Sequence, residues 1–282
     1  MTDRRLLAFS GRVADQSLRG KVEAEDYVTP QRMGLLCGQW LHDQPNGAIN
    51  RELLFGDAFD VIERRGEWAF GRSAKDGYCG WVEINRLGAW HAPTHRIAVR
   101  TTWGYAKPDF KIPRSLPIHM ASGVHVLSRL GGWAEIAISD GSLWVPGQHL
   151  TEVPLDPVDV ARAFLGTPYV WAGNSGFGVD CSGLVQLAMH ASGLACAPDS
   201  DLQSAMPGEH LSESQRFEPG DLIFWRGHVG MAAGSEMIIH ANAFHMMVVE
   251  EPIVVAIARI ATTDTGPVTL RLRPERRPMP AI

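Results

Sequence analysis

The chain has 282 residues, 45% of them hydrophobic and 20% charged, an ordinary globular composition with material for two domains or three small ones. Its formal net charge of −5 argues against a nucleic-acid partner, which needs a basic patch. Only Leu6, Leu7, Ala8 and Phe9 separate the leading arginines from Ser10-Gly11, and no run of ~18 apolar residues occurs. Neither a secretory leader nor a membrane span is therefore expected, and the protein is read as cytoplasmic. The four cysteines (Cys37, Cys79, Cys181, Cys196) have neither disulfide-framework nor zinc-site spacing. No metal or other cofactor is expected.

Along the chain, residues 1–25 read as a lead-in. Residues 26–90 are a series of short β-like runs with turn punctuation: Arg51–Phe55, Ala58–Glu63, Trp68–Arg72 and Gly80–Ile84. Residues 91–153 repeat the pattern, with strands expected at His125–Arg129, Trp133–Ile138 and Leu143–Val145. Side by side, VIERRGEWAFGRSAKDGYCGWV and HVLSRLGGWAEIAISDGSLWVP share a frame of strand, Gly-containing turn, Trp-led strand, Asp-Gly turn and Trp-Val strand. This internal repeat of about 65 residues resembles a tandem of bacterial SH3-like barrels. The Pro-containing stretches AWHAPT and VPLDP separate the units.

From residue 154 to 282 the texture is α+β. Asp156 caps a helix that opens on Pro157. Asp180 caps a second, amphipathic helix over Cys181–Ser192 that ends near Gly193. Strands are expected at Asp221–Trp225, Val229–Ala233, Met237–His240, Met246–Glu250 and Val254–Ile260. The closing RLRPERRPMPAI is expected to trail over the surface.

A thiol is a strong nucleophile only as thiolate, and a helix N-terminus or a neighbouring imidazole favours that form. Cys181 opens its helix, followed by the small Ser182 and Gly183, which leave room for a substrate. His228 begins one strand after a tight turn, and His240 ends another 12 residues later. Adjacent antiparallel strands would set the two rings side by side, one as base and the other holding its tautomer.

Three segments together resemble the NlpC-type cell-wall cysteine peptidases: Pro168-Tyr169-Val170-Trp171-Ala172-Gly173 with Asp180-Cys181-Ser182-Gly183-Leu184-Val185-Gln186, then Pro219-Gly220-Asp221-Leu222 with Gly227-His228-Val229-Gly230, and Ile239-His240-Ala241. The resemblance covers about 110 residues and implies a circularly permuted, papain-like α+β domain behind the two barrels. It implies Cys181 as nucleophile, His228 as base and His240 as orienting residue. The barrels resemble those of the subfamily that trims short murein peptides between γ-linked D-glutamate and a diamino acid. That implies a reaching tyrosine, for which Tyr78 in Asp76-Gly77-Tyr78-Cys79-Gly80-Trp81 is the candidate, and an acid for a free L-alanine amine, either Glu52 or Asp43.

Asp199-Ser200 resembles a substrate-contacting segment, but Pro198 stands where an arginine commonly precedes it, which leaves diaminopimelate and lysine both open. Trp171 would wall the pocket, and Asp180 and Ser182 complete the candidate substrate-binding set. The expected partner is a short murein peptide with an unblocked N-terminus. A tandem-barrel peptide-binding protein, or an acyltransferase or amidase using the same three residues, are the alternatives. The sequence carries no signal for oligomeric state.

Overall fold

In a computed structural model, which describes residues 3–279, the chain divides into two compact units, one running to Glu152 and the other beginning at Val153.

The N-terminal unit is almost all β. Strands between Gln31 and Gly88 form a seven-stranded sheet, and those between His95 and Thr151 form a five-stranded and a three-stranded sheet. The repeat is visible in its hairpins. Arg65 pairs with Trp68 and Leu130 with Trp133, so each Trp-led strand follows a two-residue turn. The first turn residue is a glycine at positive φ in both, Gly66 at 58° and Gly131 at 57°, a conformation a side chain would oppose. Leu35, Leu41, Leu53, Phe59, Val61 and Val82 fill the first barrel. Ile97, Ile118, Ile136, Leu143 and Val145 fill the second, and Phe55 crosses from the first barrel into that second core. The lead-in is not loose: Ala8 and Val13 are buried with Ile62, Phe70 and Trp81.

The C-terminal unit places helix α1 (Pro157–Ala163) and helix α2 (Cys181–Ala191) ahead of a sheet. The sheet strands are β1 (Gly208–His210), β2 (Leu222–Trp225), β3 (His228–Ala232), β4 (Met237–Asn242), β5 (Met247–Pro252) and β6 (Leu270–Pro274), in spatial order β1-β6-β2-β3-β4-β5. Neighbours are antiparallel throughout. A short helix, α3 (Ser200–Ser204), precedes β1, and helix α4 (Ile253–Ala261) follows β5 directly. α2 is not the amphipathic helix expected: it is buried along its whole length and on every face, Gln186 and His190 included.

Two further expectations are corrected. The β-branched stretch Val254–Ile260 is helical: Ile253, Ala256 and Ile260 are buried at helical spacing while Val254 and Val255 face water. The presumed surface tail is partly a strand. β6 inserts between β1 and β2 with Leu272 fully buried, because Leu270 and Leu272 alternate with arginines at the strand period. Among the described residues no helix is long and apolar enough to cross a membrane.

Candidate active site

Asp180 organises the start of α2. Its Oδ1 accepts from the Gly183 backbone N–H at 2.7 Å and from the Ser182 hydroxyl at 3.0 Å, and its Oδ2 accepts from the Ala172 N–H at 3.0 Å. One carboxylate thereby caps the helix and ties down the preceding loop, where Ala172 sits at φ 64°. The packing leaves no room at Gly183, where a Cβ would lie 2.3 Å from the Gly173 carbonyl oxygen. The amide of Gln203 in α3 reaches the Ser182 carbonyl at 3.0 Å and the Pro198 carbonyl at 3.1 Å, joining α3 to this helix start.

Cys181 is the first residue of α2 and is 7% exposed. Burial pushes its thiol up to about 12 and the Asp180 charge adds to this, while backbone N–H groups of Val229, Ser182 and Cys181 itself favour the thiolate. The Val229 amide belongs to β3, one residue past His228, so this strand meets the sulfur. Tyr169 is the neighbour that motif reading left without a role. Burial raises its phenol, and the negative charges of Cys181 and Asp180 raise it further.

β2 and β3 are joined by the two-residue turn Arg226-Gly227, with Gly227 at φ 73° and Trp225 paired to His228. β3 and β4 pair Met231 with Ile239 and Ala232 with Ile238; continued, that register sets His240 opposite Gly230. A Cβ at Gly230 would stand 3.1 Å from that of His240, so the glycine opens the face on which the rings meet. Nε2 of His228 lies 2.9 Å from Nδ1 of His240, and Nε2 of His240 lies 2.8 Å from Oε1 of Glu251 on β5. Arg259 of α4 clamps Glu251 from behind, donating to Oε2 at 2.8 Å and to Oε1 at 2.6 Å.

The tautomers follow from these contacts. An ionised carboxylate only accepts, so His240 carries its proton on Nε2 and presents a lone pair at Nδ1. His228 must then donate from Nε2, which leaves its Nδ1 unprotonated and basic. Burial pulls His228 down to about 3, and the charges of His240, whenever it is protonated, and of the Arg259 guanidinium act in the same direction. Burial also lowers His240, against the opposing hydrogen bond and charge of Glu251. Burial alone would raise the Glu251 carboxyl, but the His240 hydrogen bond and the charges of His240, Arg259 and His245 hold it below its ordinary range.

The remaining candidates belong to both units. Trp171 is 74% exposed and offers an open indole face. Asp199 is the residue before α3 and makes no capping bond; Ser200 opens that helix, half-buried. Tyr78 is 2% exposed within the first barrel's core, with the Arg51 guanidinium 5.9 Å over its ring. Glu52 lies on the strand Ile49–Leu53 opposite Trp40. Asp43 borders a cleft with Arg4, Arg5 and Asn50, and its Oδ1 has no hydrogen-bond partner among the described residues. No group of three or more His, Cys, Asp or Glu among the described residues could hold a metal ion.

The profile of the NlpC/P60 family matches residues 166–256, and that of the bacterial dipeptidyl-peptidase SH3 domain matches residues 41–87. The chain is similar to dipeptidyl-peptidase 6 of Lysinibacillus sphaericus, 34% identical over 68% of this chain and 79% of that protein. The chain belongs to the NlpC/P60 family. It is a cysteine peptidase of the cell-wall type, with SH3-like domains ahead of its NlpC/P60 domain. It is also similar to the γ-D-glutamyl-L-lysine dipeptidyl-peptidase of Bacillus cereus, 27% identical over 68% of this chain and 67% of that protein. A crystal structure of an NlpC/P60 family protein from Bacillus cereus shares the fold, with a TM-score of 0.70, 20% identity, and coverage of 89% of this chain and all of that one.

Proposed function

We propose that this NlpC/P60 peptidase hydrolyses the bond between γ-linked D-glutamate and a diamino acid in short murein peptides with a free N-terminal L-alanine, in the recycling of cell-wall fragments. Cys181 is the nucleophile, His228 the base and His240 the residue that orients it. The observation that carries this reading is the pairing of a helix-opening thiol, met by the Val229 amide, with a histidine whose Nε2 is committed to His240.

In the proposed reaction the thiol proton moves to Nδ1 of His228 as the sulfur attacks the γ-glutamyl carbonyl carbon. The backbone N–H groups at the start of α2 supply donors for the developing oxyanion. The C–N bond breaks as His228 returns the proton to the leaving amine. Water then attacks the thioester with His228 again as base, freeing the glutamyl carboxylate and restoring the thiol.

The bond specificity is supported by the relatives of that printed activity. The free-amine requirement rests on the resemblance of the barrel segment carrying Tyr78, with Glu52 or Asp43 as the acid, and Trp171, Asp199 and Ser200 are proposed to contact the peptide. The test is cleavage of L-Ala-γ-D-Glu-L-Lys and its diaminopimelate counterpart, each free and N-acetylated. Cleavage of the free forms with the acetylated forms resistant is expected. Equal cleavage of both would remove the free-amine requirement, and cleavage of none would remove the bond assignment.

A further inference from the structure

The hydrogen-bonded line from His228 does not stop at His240. Glu251 and Arg259 extend it, and neither belongs to the motifs that carry the family resemblance. The line depends on a local accident of fold. Eight residues separate Glu251 from Arg259, which in an extended strand would be about 26 Å. Because α4 begins at Ile253, immediately after β5, the chain turns back and the guanidinium meets the carboxylate through two charge-assisted bonds. Phe244, in the β4–β5 turn, covers the other side of Arg259, with the guanidinium carbon 4.6 Å from its ring centroid. Neighbouring Glu250 points away and pairs with Arg162 at 3.0 Å, so only Glu251 of the acidic pair faces His240.

We propose that the Glu251–Arg259 ion pair is a positioning element that sets the tautomer of His240 and, through it, leaves Nδ1 of His228 as the basic nitrogen. The proposal rests on the assignment of His228 as base. Each member has a separate task. Glu251, able only to accept, forces the His240 proton onto Nε2. Arg259 offsets the carboxylate's charge so that His240 stays neutral; an imidazolium would donate from both nitrogens and could not accept from His228. The charged and titratable groups facing His240 are Glu251 from β5, Arg259 from α4, His245 from the β4–β5 turn and His228 from β3.

The two members therefore predict different lesions. Glu251→Gln is nearly isosteric, but its amide can turn an N–H toward His240 and its oxygen toward Arg259, inverting the tautomer. It should lose about 10²–10⁴-fold in kcat, the range that general acid–base assistance contributes, with KM changed less than about threefold. Glu251→Asp, which keeps the acceptor, should recover part of that loss. Arg259→Gln should instead keep most of kcat at pH 8 and move the acid limb of the pH–rate profile upward by about one pH unit. Nitrogen-15 spectra of the histidine-labelled, full-length protein should show protonated Nε2 and unprotonated Nδ1 for both His228 and His240, a pattern lost in Glu251→Gln.

Wild-type kcat in Glu251→Gln, or an unchanged nitrogen pattern, would overturn the proposal; if Glu251→Gln does not fold, an unmoved acid limb in Arg259→Gln does so. Activity in Cys181→Ala or His228→Ala would instead overturn the assignment on which the proposal rests.

Discussion

Nε2 of His228 and Nδ1 of His240 are 2.9 Å apart, carried by adjacent antiparallel strands. This single hydrogen bond decides which nitrogen of His228 is free for chemistry. The ring is held from behind by a neutral acceptor rather than by a carboxylate, and the carboxylate, Glu251, stands one ring further back. Charge is thereby kept away from the proposed base.

The consequence for the thiol can be measured. With Cys181 pushed up to about 12 and His228 pulled down to about 3, both chiefly by burial, the resting pair at neutral pH is a thiol and a neutral imidazole. Iodoacetamide alkylation of Cys181, corrected with Cys181→Ala for the other cysteines, should rise about tenfold per pH unit from pH 6 to 9 without a plateau. Burial lowers both His228 and His240, so the acid limb of kcat should lie below the pH at which an ordinary histidine titrates. A plateau of alkylation near pH 6 would reveal a preformed ion pair instead.

Asp180 supports the site through three accepted hydrogen bonds. Asp180→Ala should cost about 2 kcal/mol in urea unfolding, the upper range for a lost N-cap, because the Ala172 amide loses its partner together with that of Gly183. Peptidase activity should fall further than stability, since the loop at Ala172 and the start of α2 loosen together. Unchanged unfolding would contradict the anchoring role.

How much of this was legible in the sequence depends on whether a residue's partner lay in a recognisable pattern. The Asp180 cap, the helix opening on Cys181 and the strand Trp133–Ile138 coincide with their structural bounds, because capping chemistry and the glycine turn at Gly131-Gly132 act locally. His228 and His240 meet because a two-residue turn and short strands constrain each other. Glu251 and Arg259 are not legible as partners in the sequence for one reason: Val254 and Val255 are good strand formers, and a strand at that point carries Arg259 away. Tertiary burial of Ile253, Ala256 and Ile260 overrides that preference. A signal did exist. His240 pairs with Val249 and Ile238 with Glu251, so Glu251 is a diagonal neighbour of His240 on the same sheet face.

His119, 4% exposed in the second barrel beside Thr101, makes a separate prediction about stability. Burial lowers it to about 4, against a backbone hydrogen bond at Arg100. The unfolded chain then takes up the proton first as pH falls. The stabilising contribution is complete above the ordinary histidine value, declines as pH drops below it and is gone below about 4. Between pH 7 and 4.5 the wild type should lose roughly 2 kcal/mol more unfolding free energy than His119→Gln. Equal losses in chemical unfolding would contradict a buried neutral His119.

Hydrolysis of L-Ala-γ-D-Glu-L-Lys or its diaminopimelate form by the wild type and by Cys181→Ala, with matched far-UV spectra and melting temperatures, tests whether Cys181 performs the attack. The wild type should release the dipeptide L-Ala-D-Glu and the free diamino acid, and Cys181→Ala should release neither. Equal release by the two proteins would show that another group performs the attack.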